Sequence, residues 1–156
     1  MNQISKIITL VFGLLYFPQI TQAQITSEQL NGMWQAETLE IGSGYRELYY
    51  FYLDGKFSYH PSEYDGLKRI IAIKGTYELA GNELILTTTS TEERVGGNLS
   101  RDPFIPTNDS WAIDGGKIIE VELEPVKHHL TIGSCENADY AEPCILIDNR
   151  PFYRLD

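Results

Sequence analysis

Two short glycine turns constrain this chain more than any other feature. Asp54-Gly55 and Gly81-Asn82 each separate two runs of alternating apolar and polar residues. Such pairs take the positive φ of two-residue hairpin turns, and a period of two is that of a half-buried strand. The first hairpin is predicted to run from Tyr45 to Leu53 and back through Lys56 to His60. A type I′ turn at Asp54-Gly55 pairs Leu53 with Lys56, Tyr52 with Phe57 and Tyr50 with Tyr59. Leu48, Tyr50, Tyr52, Phe57 and Tyr59 are then expected on the core face, with Tyr49, Phe51, Ser58 and His60 on the other. In the second hairpin Leu67–Ala80 returns through Glu83–Glu93, pairing Ala80 with Glu83, Tyr77 with Leu86 and Leu79 with Leu84. Ile71, Ile73, Gly75, Tyr77, Leu79, Leu84 and Leu86 share its inner face.

The rest of the chain carries the same period. A single helical turn capped by Thr26 or Ser27 is expected over 26–31. A third hairpin is predicted from Trp111–Ile113 through Asp114-Gly115-Gly116 to Lys117–Glu124, with Glu120, Glu122 and Glu124 on a solvated face. Short strands are predicted at Leu130–Ile132, Cys144–Ile147 and Phe152–Leu155. The stretch 96–110, with two prolines and no period, reads as a long loop. About nine strands at regular spacing, no long amphipathic helix and no repeat indicate one all-β, antiparallel domain, a barrel or a sandwich.

Export is expected from the first residues. Lys6 precedes an apolar run of eleven residues, Ile7 to Phe17, then Pro18 and the small-residue site Thr21-Gln22-Ala23. This is the pattern of a signal peptide over 1–23, leaving the domain at 24–156. The run is shorter than the roughly 20 residues that span a bilayer, and no second one follows. Secretion or a periplasmic location is therefore expected, with no membrane span in the domain. Cys135 and Cys144 are then expected to pair. The net charge of −10 disfavours binding to nucleic acid phosphates.

No chemistry-bearing motif emerges. G-x-S-x-G, H-E-x-x-H and phosphate-loop patterns are absent, and no cofactor, metal or catalytic residue is assigned. His128 and His129 are adjacent, so on a strand they point to opposite faces and are poorly placed to share a metal. Asp102, Asn108 and Asp109 lack calcium-loop spacing. Asn98-Leu99-Ser100 and Asn108-Asp109-Ser110 match the glycosylation acceptor pattern. The remaining signal is aromatic: Tyr50, Tyr52, Phe57, Tyr59 and Tyr77 are expected to share the interior with Trp34. They either fill the core or line a pocket for a small apolar or aromatic molecule.

Several short motifs resemble those of lipocalins and small exported lipocalin-like domains. Gly32-Met33-Trp34, after a helical turn, resembles the opening G-x-W. Tyr52-Leu53-Asp54-Gly55-Lys56-Phe57 is similar to the family's aromatic-x-Asp-Gly-x-Phe hairpin, and Gly75-Thr76-Tyr77 with Leu84-Ile85-Leu86 to the strands that follow. The Thr-Asp-Tyr motif of larger lipocalins is absent. The resemblance implies an up-and-down β-barrel of about eight strands with a small-ligand cavity, and Arg154 packed over Trp34. The function expected of such a barrel is secreted or periplasmic binding of a small apolar or aromatic molecule, with no chemistry of its own. The alternative is an exported protein-interaction module, such as a protease inhibitor of barrel fold.

Overall fold

The computed structural model describes residues 24–38, 46–101, 111–135 and 143–155. The leader 1–23, the calcium and second glycosylation candidates of 102–110, and the interior of the cysteine loop lie outside them.

Thr26 caps a single helical turn, α1 (Ser27–Leu30), through a capping box in which Thr26 and Gln29 exchange hydrogen bonds. Among the described residues ten strands follow: β1 (Gly32–Ala36), β2 (Leu48–Phe51), β3 (Lys56–His60), β4 (Ile70–Ala80), β5 (Glu83–Val95), β6 (Asn98–Arg101), β7 (Trp111–Asp114), β8 (Lys117–Ser134), β9 (Cys144–Ile147) and β10 (Arg150–Arg154). Eight of them close an all-antiparallel barrel in the order β1-β2-β3-β4-β5-β8-β9-β10, with β10 returning to β1. Each strand pairs with its chain neighbour, the up-and-down connectivity, interrupted only by the β6–β7 hairpin.

Glycine turns set the pairings, and one of them moves the expected register. A type I′ turn needs positive φ at both central residues. Only Gly55 takes it, at 80°, while Asp54 does not. Instead Gly55 N–H donates to Tyr52 C=O and Tyr52 N–H donates to Lys56 C=O, closing a three-residue loop. The Asp54 carboxylate accepts from Lys56 N–H at 3.2 Å. The extra loop residue moves the ladder by one: Phe51 faces Phe57, Tyr50 faces Ser58 and Tyr49 faces Tyr59. A slip of one residue exchanges the faces of a strand. Tyr49 and Phe51 therefore join Phe57 and Tyr59 inside, and Tyr50 turns to the opposite face with Ser58 and His60. Tyr52 lies just beyond β2 and is 47% exposed.

The second hairpin keeps its expected register, with Tyr77 opposite Leu86 and Leu79 opposite Leu84. Two irregularities near Ile71 and Lys74 bend β4. Gly75 lies at the second of them. A Cβ there would stand 1.9 Å from the Thr87 carbonyl oxygen and 3.0 Å from Phe57, so only glycine lets these backbones approach.

The expected third hairpin is replaced by two pairings. Trp111–Asp114 pairs with Asn98–Arg101, a strand inside the stretch read as loop. Lys117 onward pairs with β5, from Val95 opposite Lys117 to Glu83 opposite Thr131. The strand predicted to stop at Glu124 runs on to Ser134, absorbing the short strand expected at Leu130–Ile132.

Among the described residues the core is one cluster. Leu30, Trp34, Phe51, Phe57, Tyr77, Leu84, Leu86, Ile132, Ile145, Ile147 and Phe152 meet inside the barrel. Trp34 is 2% exposed; its Nε1–H donates to the Leu30 carbonyl at 2.7 Å, tying α1 to β1. The Arg154 guanidinium stands 5.8 Å from the Trp34 ring, the expected cation–π contact. Cys135 and Cys144 form a disulfide next to the β8–β9 pairing.

Candidate functional site

Alternation and register sort the expected pocket residues. Trp34, Phe57 and Tyr77 are buried inside, and Tyr59 is half-buried beside them. Tyr49, which a two-residue turn would place outside, packs among them: its ring centroid lies 4.7 Å from Tyr59 and 5.4 Å from both Phe51 and Phe152. Phe51 in turn meets Tyr77 edge to face at 5.2 Å. These are the separations of direct aromatic contact. Tyr77 Oη–H donates to the Tyr52 carbonyl at 3.0 Å, so its buried hydroxyl is satisfied. Burial and the nearby Glu47 carboxylate push the Tyr59 phenol up to about 12.

Tyr50 and Tyr52 have left this set. The Tyr50 ring meets His60 edge to face at 5.4 Å on the outer face of β2–β3. Tyr52 forms one wall of a cleft of about 550 Å³ that also takes in Phe57. The cleft lies across β3, β4, β5 and β8, where irregularities in β4–β5 and in β5–β8 bend the sheet.

Polar pairs furnish the cleft. On β3 the Ser58 hydroxyl and His60 Nε2 are 3.0 Å apart, since residues two apart on a strand share a face. Lys74 of β4 forms an ion pair with Glu92 of β5 at 2.6 Å. Ser90 Oγ–H donates to the Glu120 carboxylate of β8 at 3.0 Å. Ser58 and Ser90 are both buried. The strand pairings explain the assembly: Ser58 stands opposite Lys74, Lys74 opposite Ser90, and Glu92 opposite Glu120.

Burial, helped by the Lys68 and Lys74 charges and opposed by Glu92, holds the His60 imidazole below its ordinary pKa. The hydrogen bond to Glu92 keeps Lys74 protonated. Beside Lys56, Thr76 and Thr89, the cleft therefore presents the neutral His60 imidazole, the Ser58 and Ser90 hydroxyls, the Lys74 ammonium and the Glu92 and Glu120 side chains. Each is held by a partner from the same or a neighbouring strand, which fixes donors and acceptors in place before any ligand arrives. None of these groups was selected from sequence. The available signal was Ser58-x-His60 on the face opposite Phe57, which alternation does place outside.

The two adjacent histidines are apart, as alternation requires. His129 bonds Glu83 at 2.7 Å, and His128 lies across from Leu86 on the opposite face. Among the described residues no helix is long and apolar enough to cross a membrane. The chain matches no protein-family model, no curated protein and no solved structure.

Proposed function

We propose that the protein is an exported, lipocalin-like binding barrel whose ligand is a small aromatic molecule bearing hydroxyl or amine groups. It holds that ligand without transforming it. The observation that carries this reading is the cleft itself: about 550 Å³, with Tyr52 as an aromatic wall and three oriented polar pairs facing it. Small-molecule sites combine apolar walls with a few placed polar groups in this way. A purely apolar ligand would desolvate the Lys74–Glu92 pair and the Glu120 carboxylate without replacing their water contacts, which opposes binding. An amine or hydroxyl satisfies them. Export is supported by the leader pattern of 1–23 and by the disulfide, which suits an oxidising compartment.

Titration calorimetry with tyramine, catechol and indole, against a fatty acid and a retinoid, tests the reading. A polar aromatic is expected to bind with Kd below about 100 µM, roughly −5.5 kcal/mol. Glu92→Gln and Ser58→Ala are expected to weaken that binding while leaving the fold intact. Binding of the fatty acid alone, insensitive to both substitutions, would move the site to the aromatic interior.

A further inference from the structure

The longest strand of the barrel is paired along only part of one edge. One edge of β8 follows β5 from Lys117 to Thr131. The other meets β9 only at Ile132, Gly133 and Ser134. Thr131 is also occupied: its N–H donates to the Asp148 carboxylate and its carbonyl accepts from Asp148 N–H. Among the described residues, no strand pairs with this second edge from Lys117 to Leu130. The same stretch exposes Ile118, Ile119, Leu123 and Val126, each at least 39% exposed. A long open edge with exposed apolar side chains is a template for another strand, and soluble proteins ordinarily cover or blunt it.

Charge along the edge selects the occupant. Glu120, Glu122 and Glu124 fill its first half, and Lys127, His128 and His129 its second. A strand acidic at one end and basic at the other complements an antiparallel copy of itself. Stacked parallel and in register, it would set glutamate against glutamate.

The irregularity in β8 narrows the register further. Between Ser90–Glu122 and Thr88–Val126, one residue of β5 faces three of β8. Side-chain alternation changes phase there. Glu120 and Glu122 share the outer face with Ser90 and Glu92, as Lys127 and His129 do with Thr87 and Ile85. Ile119 and Leu130 lie on the inner face. A two-fold antiparallel pair must match outer with outer and inner with inner. Setting Glu122 opposite Lys127 does this, and brings Leu123 opposite Val126, Glu120 opposite His129 and Ile119 opposite Leu130. At each of its ends that ladder stops on Leu130, the last residue of the open edge, and it leaves Lys117 and Ile118 outside. A slide of two residues one way sets Glu122 against Pro125; the other way pushes Glu120 onto Thr131, which Asp148 already holds. Pro125 falls next to the two-fold axis, inside the irregular stretch, and forgoes one ladder hydrogen bond per strand.

We propose that two copies of this chain associate through the open edge of β8, antiparallel about a two-fold axis, with Glu122 of each copy opposite Lys127 of the other. The ladder from Ile119 to Leu130 spans about 40 Å. It joins two barrels into one continuous sheet and sets Ile119 beside Leu130 and Leu123 beside Val126 across the seam. Glu122 and Lys127 do not line the cleft, so association and ligand binding are read separately.

Sedimentation velocity of the purified protein over a concentration series tests this. A monomer–dimer equilibrium is expected, weakened by salt. Glu122→Lys alone and Lys127→Glu alone each place like charges opposite one another twice per dimer, and are expected to raise the dimer Kd about tenfold or more. The double variant restores the pairs with their signs exchanged and recovers dimerisation. Mixing the two single variants also recovers it, as a heterodimer: one copy then carries lysine at both positions and the other glutamate at both, so every facing pair is again of opposite sign. Far-UV circular dichroism confirms that each variant is folded. A monomer at every concentration up to about 100 µM, roughly −5.5 kcal/mol, overturns the proposal. So does a dimer indifferent to both charge reversals.

Discussion

Replacing Trp34 with alanine removes the largest fully buried side chain of the core. A buried tryptophan covers about 150–250 Å² of apolar surface, which at roughly 25 cal/mol per Å² corresponds to about 4–6 kcal/mol. The extended-chain reference makes that an upper figure, and buried Trp→Ala substitutions cost about 3–5 kcal/mol. We therefore expect a loss of about 4 kcal/mol. The structure divides this loss. Trp34→Phe keeps most of the packing but removes the Nε1–H that satisfies the Leu30 carbonyl. Leu30 is fully buried, so its carbonyl is left without that donor at about 1–3 kcal/mol, and about 2 kcal/mol is expected. Arg154→Ala removes the cation–π contact with Trp34, which by itself is worth about 0.5–1 kcal/mol at such a site. Urea melts followed by circular dichroism give all three values, because midpoint shifts at constant slope report stability alone. Domains of this size hold only about 5–15 kcal/mol in total, so an unfolded Trp34→Ala leaves Trp34→Phe to decide. The reasoning fails if Trp34→Ala costs less than about 1 kcal/mol. It also fails if Trp34→Phe is neutral, since the Leu30 hydrogen bond would then contribute nothing.

Three further variants probe the close strand approach, the cleft and the disulfide. Gly75→Ala forces a Cβ against the Thr87 carbonyl and Phe57; a loss of about 3 kcal/mol or more in the same melt is expected, and a tolerated alanine would contradict the close approach of β4 to β5. The depressed pKa of His60 means that the unfolded chain binds a proton the folded chain resists, so stability falls as pH drops below the ordinary imidazole value near ~6.5. His60→Gln is expected to flatten the stability profile in that window relative to the parent, and an unchanged slope would exclude His60 as its source. Cys135→Ser with Cys144→Ser opens a short covalent loop and should cost roughly 2.5–3 kcal/mol in the chain-entropy view; thiol labelling of the denatured, unreduced parent is expected to find no reactive cysteine.

Local chemistry by itself determined the strand content, the capped helical turn at Thr26 and the second hairpin. Each rests on contacts a few residues apart: a cap three residues from its acceptor, or a two-residue turn between Ala80 and Glu83 that leaves its ladder no freedom. The Trp34–Arg154 contact was legible too, through resemblance rather than through pattern. Three features needed the closed barrel. Asp54-Gly55 is compatible with a two-residue or a three-residue loop, and the two differ by one residue of register. Packing chose the longer loop, which sends Tyr49 and Phe51 inward and leaves Tyr50 beside His60. Lys117 follows Trp111–Asp114 closely enough for a hairpin, yet β8 lies against β5 and releases β7 to β6, because sheet closure rewards the longer ladder. The cleft was the least legible of all. Ser58, Lys74, Ser90 and Glu120 come from four strands, and no local periodicity brings residues of four strands together. Only the order of strands around the barrel does so, set by the global pairing that buries the apolar face of every strand at once.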